Sequence, residues 1–222
     1  MDPAYGYGRT PIVGNVGWWS ERVVPRMTDR SLSSRPIMDL RRDACGGLSG
    51  RVLELGFGSG LNLAIYPSAV ASVDAVEPSD LGWELSAQRR SDSSVPVERV
   101  GLDGQRLQAA DATYDAVLST FTLCTIPDVA AALAEVRRVL RPGGSLHVLE
   151  HGLAPDPKIA AWQHRLNGLQ GRIAAGCHLT RDAPRLLEEA GLTVERLDQA
   201  YLPGPGLGRP WTFVSLATAV RP

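Results

Sequence analysis

Residues 52–60, V-L-E-L-G-F-G-S-G, constrain this chain more than any other stretch. A short apolar run (Val52, Leu53, Leu55) surrounds an acidic residue, Glu54, and then meets glycine at alternate positions, Gly56, Gly58 and Gly60. This is the pattern of a buried strand breaking into a turn where backbone approaches a ligand closely, because glycine has no Cβ to block it. The turn is expected to feed the N-terminus of a helix, whose free N–H groups favour an anionic or strongly polar ligand. A purely structural glycine turn is the alternative. A dinucleotide fingerprint would carry its third glycine one place after Gly60, where Leu61 stands.

From Gly50 onward strand and helix signals alternate, which predicts a mostly parallel sheet with helices on both faces. Strands are expected at 51–56, 72–77, 96–100, 115–120 and 145–150, with a closing hairpin from 193–198 and 211–219. A helix over 127–140 follows from Val129, Leu133, Val136 and Leu140 at helical spacing, with Pro127 in its first turn. It stops at R-P-G-G, 141–144, where proline and glycines force a turn. Ile159, Trp162, Leu166 and Leu169 mark the apolar face of another helix, with His164 opposite. A further helix is expected after Thr180 as N-cap, with Ala183, Leu186, Leu187 and Ala190 on one face and Gly191 as its stop. Residues 1–17 lack periodicity and are expected to form an irregular arm, and 18–47 to form helices broken near Pro25 and Pro36. The fold class is therefore α/β: a single doubly wound, mostly parallel, seven-stranded Rossmann-like sheet over 50–222, preceded by an arm and helical lid over 1–49.

Composition narrows the function. Lys+Arg number 23 against Asp+Glu 24, a net charge of −1, and no basic run points to nucleic acid. Cys45, Cys124 and Cys177 are widely spread, fit no metal-ligand spacing or disulfide framework, and favour a reducing compartment. The opening M-D-P-A-Y-G-Y-G is not a basic-then-apolar signal peptide. No apolar run approaches the ~20 residues a membrane helix needs. The expectation is a cytoplasmic protein without metal, membrane anchor or nucleic-acid partner, acting on a small molecule.

Glu77 ends the second strand, S-V-D-A-V-E-P, about 20 residues beyond the glycine turn, where a carboxylate accepts hydrogen bonds from both ribose hydroxyls of a nucleoside. Asp74, inside the strand, reads as structural. The glycine spacing with Glu54 before it resembles the first motif of class I S-adenosylmethionine-dependent methyltransferases, and R-V-L-R-P-G-G-S-L, 138–146, resembles that family's helix-turn-strand element. The resemblance implies S-adenosyl-L-methionine as cofactor. Glu54, Gly56, Gly58 and Gly60 would hold its amino-acid end, Glu77 the ribose, and Asp103 with Gly104 the adenine, with Asn62 and Pro78 also among the cofactor-binding residues. Ser119 and Thr120 would meet the methionine part. For Asp103 and Gly104 a plain Asp-Gly turn stands as an equal reading.

A narrower likeness extends to about residue 190. L-C-T-I (123–126), the R-V-L-R-P-G-G turn, E-H-G (150–152), W-Q (162–163) and G-C-H-L-T-R (176–181) recur in the same order in methyltransferase-like alkyl thiol S-methyltransferases. Animal members begin with a membrane-anchoring apolar segment without a counterpart here, and Phe57 replaces a cysteine common in their glycine loop. This resemblance implies methyl transfer by in-line displacement to a small apolar acceptor, a thiol first and a quinol, phenol or amine next. A non-catalytic cofactor-binding module is a further alternative, as is a nicotinamide-dependent oxidoreductase, against which stand Leu61 and Lys158 as the sole lysine. His151, after the fifth strand, is the candidate catalytic base, oriented by Glu150; a loop-shaping role is its alternative. His147 reads as packed. Trp18, Trp19, Trp162, Cys177 and His178 are candidate acceptor-pocket walls, each alternatively a core residue.

Overall fold

The computed structural model describes residues 18–222; the expected irregular arm at 1–17 lies outside them. A π-helical turn, Trp19–Val23, leads into α1 (Val24–Leu32) and α2 (Arg35–Cys45). Pro25 and Pro36 occupy the first turns of these two helices, where a missing N–H costs nothing. Then come β1 (Gly50–Leu55), β2 (Val70–Val76), α3 (Asp80–Leu85), α4 (Ala87–Asp92), β3 (Val97–Gly101) and β4 (Tyr114–Thr120). The second half runs α5 (Val129–Val139), β5 (Leu140–His151), α6 (Pro157–Ile173), α7 (Ala183–Glu189), β6 (Thr193–Tyr201), α8 (Arg209–Thr212) and β7 (Phe213–Val220).

The strands form one seven-stranded sheet in the order β3-β2-β1-β4-β5-β7-β6. Neighbours among β1–β5 pair in parallel, and β7 runs antiparallel to both β5 and β6. The expected class and all seven strands are present. The order reverses between β1 and β4, and ligands of open α/β sheets bind at the carboxyl ends of strands beside such a reversal.

Two cores sandwich the sheet. Leu53, Leu55 and Val117 pack with Leu133, Val136 and Val139 of α5 and Leu187 of α7. Val52, Ala116, Leu118 and Leu149 pack on the other face with Ala44 and Cys45 of α2. Thus α2 shares the sheet's own core. Because side chains alternate along a strand, Glu54, Thr120 and His151 have the parity of the α2 face, whereas Ser119 and Glu150 have that of the α5 face.

Four local expectations change. The glycine turn opens no α-helix; one 3₁₀ turn, Leu63–Ile65, follows it, and Tyr66-Pro67 then turns the chain toward β2. α5 starts two residues late because the Asp128 carboxylate accepts the Ala131 N–H at 2.9 Å and acts as N-cap. Asp182, not Thr180, caps α7. R-P-G-G is a bulge inside β5: the register jumps from Tyr114 opposite Leu140 to Ala116 opposite Ser145. Gly143 there has φ +76°, and a Cβ on Gly144 would lie 2.9 Å from two carbonyl oxygens.

Candidate active site

The three loop glycines serve different ends. All have positive φ, +68°, +56° and +76° for Gly56, Gly58 and Gly60, conformations that L side chains adopt at a cost. A Cβ on Gly56 would collide with the Thr122 side chain, and one on Gly60 would press on Leu63, Phe57 and Ser86. Gly56 and Gly60 therefore allow protein to pack on protein. At Gly58 the nearest atom to such a Cβ is the Gly56 carbonyl oxygen, 3.9 Å away. Gly58 is the glycine whose bare backbone faces open space.

Beside it, Glu77 is 5% exposed. Its carboxylate accepts the Gly58 N–H at 2.6 Å and the Ser79 N–H at 2.7 Å. Burial raises its pKa, and those two N–H donors oppose the rise. Pro78 is exposed just after it. The glycine loop is followed by a single 3₁₀ turn instead of the expected α-helix, and the Gly58 and Ser79 N–H groups are engaged by the protein's own carboxylate.

A second polar group fills the α2 face. Glu54 accepts a hydrogen bond from Asn62 Nδ2 at 2.6 Å and another from the Tyr66 hydroxyl. Arg41, 4% exposed on α2, donates to Asn62 Oδ1 at 2.9 Å and to Thr120 Oγ1 at 2.7 Å. Burial pushes Glu54 up to about 7, while the hydrogen bonds from Tyr66 and Asn62 and the Arg41 charge oppose it. Among the described residues the Arg41 Nε is buried without a hydrogen-bond partner. Sequence reading missed Arg41 and Tyr66; shared strand parity with Glu54 and Thr120 becomes visible once α2 is seated on that face.

α1 docks on the glycine loop through Asp29, which accepts the Ser59 hydroxyl at 2.6 Å and pairs with Arg89 at 2.9 Å. Asp103 is exposed and accepts the N–H and side-chain amide of Gln105, an Asx turn. Gly104 lies close to Ile126 and Leu55. Ser119 is buried and gives its hydroxyl to Glu150 at 2.8 Å. Asp74 holds Arg51 and the Tyr114 hydroxyl, as a structural residue should. A groove of about 560 Å³ lies at the opposite, amino end of β3, between Arg90 and Val97, away from all these groups.

Glu150 does not orient His151. Strand alternation sends it to the other face, where it is 1% exposed and accepts the N–H groups of Thr122, Leu123 and Cys124 as well as Ser119. It folds the exit of β4. His151 is half-buried, tilted on Phe121 with ring centroids 4.9 Å apart, and its Nδ1 lies 4.0 Å from Cys177 Sγ. Cys177 in turn lies 3.7 Å from Cys124 Sγ. The Cys124 thiol and then His151 draw the Cys177 pKa down, against burial. His147 is packed, bound to the Ala44 carbonyl and Ser145.

The expected acceptor-pocket walls do not all meet. Trp18 is 71% exposed, and Trp162 53%. Trp19 donates to the Ile173 carbonyl at the far end of α6, roughly 16 Å along the helix axis from Trp162. Cys177 and His178 follow that same end; His178 faces Asn167 at 3.2 Å. Along the apolar stripe of α6, Leu169 is exposed as well, as is Ile173 beyond it, while Ile159 and Leu166 are half-buried. The side chain that α6 buries is Gln163, bonded to Ala154 N–H and to the Gly152 and Pro210 carbonyls.

Residues 53–148 match a family model described as a methyltransferase domain. Thiol S-methyltransferase TMT1B of Rattus norvegicus is 34% identical over 151 residues, covering 66% of this chain and 62% of the relative. Thiol S-methyltransferase TMT1A of Homo sapiens is 32% identical over 163 residues, covering 71% and 66%. The chain thus spans less than two thirds of the length of these relatives. A SAM-dependent methyltransferase from Thermotoga maritima shares the fold, with TM-score 0.64 at 20% identity over 93% of this chain and all of that one. By topology, glycine loop and matched sequence, the chain belongs to the class I S-adenosylmethionine-dependent methyltransferases, close to the thiol S-methyltransferases.

Proposed function

We propose that this protein transfers a methyl group from S-adenosyl-L-methionine to the sulfur of a small apolar thiol. The observation that carries the reading is the pair of buried polar groups around Glu77 and Glu54 at the β1–β4 reversal, with the Arg41 Nε left without a hydrogen-bond partner among the described residues. The site fits the cofactor: among the described residues, space is left where a Gly58 Cβ would stand, and Arg41 Nε has no partner.

When bound, the cofactor supplies a methyl group already activated by its sulfonium. Glu77 takes the ribose hydroxyls on its free lone pairs. Glu54, Asn62 and Thr120 receive the amino-acid end, with Arg41 turned to its carboxylate. Asp103 and Gly104 edge the adenine. α1, tied down through Asp29, keeps water from the glycine loop. Positioning an acceptor in line, about 3–3.5 Å from the methyl, is then most of what remains. A free thiol with pKa about 8.5 is a few per cent ionised at neutrality, so a modest base suffices. In the metal-free protein His151 is the group at that edge which takes the proton. Cys177 and His178, with Trp19 nearby at the end of α6, border the acceptor.

The preference for sulfur over oxygen or nitrogen draws on the thiol S-methyltransferase relatives. Incubating the protein with labelled S-adenosyl-L-methionine and a panel of small thiols, phenols and amines tests it. Methyl thioethers should form at least about 10-fold faster than the other products. Faster phenol or amine methylation would overturn the choice of acceptor atom, and no turnover with any member would leave a cofactor-binding module.

A further inference from the structure

We propose that Cys124, Cys177 and His151 form a binding site for one thiophilic divalent ion of the zinc class, with a fourth position left open. Two cysteines 53 residues apart in sequence bring their sulfurs to 3.7 Å, and His151 Nδ1 lies 4.0 Å from one of them. All three donor atoms fall within 4.8 Å of one another. Zinc–sulfur bonds of about 2.3 Å and zinc–nitrogen bonds of about 2.0–2.1 Å place sulfurs ~3.8 Å apart, and sulfur and nitrogen ~3.6 Å apart, in a tetrahedron. The sulfur pair already has that separation; the imidazole closes by about 0.4 Å toward Cys177, and its separation from the Cys124 sulfur, within 4.8 Å, closes by up to about 1.2 Å.

The site is built into the fold. Cys124 lies on the exit of β4, whose turn is held by Glu150 accepting three successive N–H groups. Cys177 lies on the segment after α6, and the His178 N–H bonds the Cys124 carbonyl at 2.8 Å, locking the two cysteine segments together. Arg181 clamps the same turn through the carbonyls of Leu123 and Ile126. His151 ends β5, and Phe121 holds its ring. Two buried thiolates balance a divalent ion, so the loaded site is locally neutral; their two protons leave to solvent on binding. Three protein ligands and one open position are the arrangement of a reactive rather than a closed structural ion.

Resting on the thiol-transfer reading, the open position takes the sulfur of the acceptor. There the ion acidifies the acceptor thiol, whose proton leaves to solvent as its sulfur binds, and His151 serves as ligand instead of base.

The test is titration of the reduced, metal-free full chain with Co²⁺, followed by displacement with Zn²⁺. One equivalent of Co²⁺ should bring a thiolate-to-cobalt charge-transfer band and tetrahedral d–d bands, lost when Zn²⁺ is added. Cys124→Ser, Cys177→Ser and His151→Gln should each lower affinity by about 100-fold or more, and Cys45→Ser should not. Native mass spectrometry of the wild type, counting bound zinc, gives a reading independent of whether the variants fold. Absence of the band and of bound zinc overturns the site, as does a wild type isolated two hydrogens short with a Cys124–Cys177 disulfide. A small thiol should shift the cobalt bands; unchanged bands overturn its place on the ion. Thiol methylation by metal-free protein without any cobalt band would sink the metal site and leave the proposed function intact, whereas a cobalt band without methyl transfer would do the reverse.

Discussion

At the scale of single residues, three glycines in one loop carry separable burdens. Gly58→Val places its branches in open space, at a strain of about 1–2 kcal/mol from positive φ. It should therefore fold yet give no heat with S-adenosylhomocysteine in calorimetry. Gly56→Val, driven into Thr122, should instead fail to fold or melt far lower. Glu54 supplies a second prediction at this scale. Burial holds its carboxyl at about 7 against an ordinary 4.5, so the folded protein binds that proton more tightly than the unfolded chain. Its stabilisation is complete below about pH 4.5 and is lost as pH rises through 7. The stability of wild type minus Glu54→Gln, measured by urea unfolding, should fall by on the order of 3 kcal/mol across that window. A difference that rises with pH would mean Glu54 is held ionised.

At the scale of elements, α6 shows how a helical pattern can be present while its expected burial is reversed. The stripe Ile159, Trp162, Leu166 and Leu169 recurs at helical spacing, yet Trp162 and Leu169 are exposed and Ile159 and Leu166 only half-buried. The anchor is Gln163, one residue round the helix, joining α6 to the β5 exit and to α8. Gln163→Leu strands one N–H and two carbonyls and should cost about 2–3 kcal/mol in chemical denaturation. Trp162→Ala should cost less than about 0.5 kcal/mol. The reverse ranking would show that α6 is held by its apolar stripe. β5 offers a parallel lesson: R-P-G-G ends α5 as its composition requires, but the chain keeps its strand pairing through a bulge.

For the whole molecule, the arrangement of strands places the glycine loop, Glu77 and Thr120 along one edge of a continuous sheet with a core on each face. A ligand bound there touches β1, β2, β4 and α2 together, so its binding energy stabilises the whole fold. S-adenosylhomocysteine at a thousand times its Kd should add about 4 kcal/mol and raise Tm by roughly 8–16 °C. NAD at the same concentration should leave Tm unchanged. An equal shift from NAD would point back to the oxidoreductase alternative. No helix among the described residues is long and apolar enough to cross a membrane.

Sequence by itself determined what depends on neighbours within a few residues. The apolar run Val52, Leu53 and Leu55 before the glycines specifies a strand and its exit, and Val129, Leu133 and Val136 specify a helix face, because backbone geometry repeats over two and 3.6 residues. The place of Glu77 just after β2 was legible because a strand end is a local event. Tertiary structure alone decided which face of the sheet each helix covers, and with it the meeting of Arg41 with Thr120 and the separation of Glu150 from His151. It also decided the approach of Cys124 to Cys177. Two helices, α5 and α6, and the strand β5 lie between those cysteines, 53 positions apart, and no spacing rule spans that distance. Their contact comes from two loops held by backbone hydrogen bonds at one sheet edge, a consequence of packing that linear order does not encode in any short pattern.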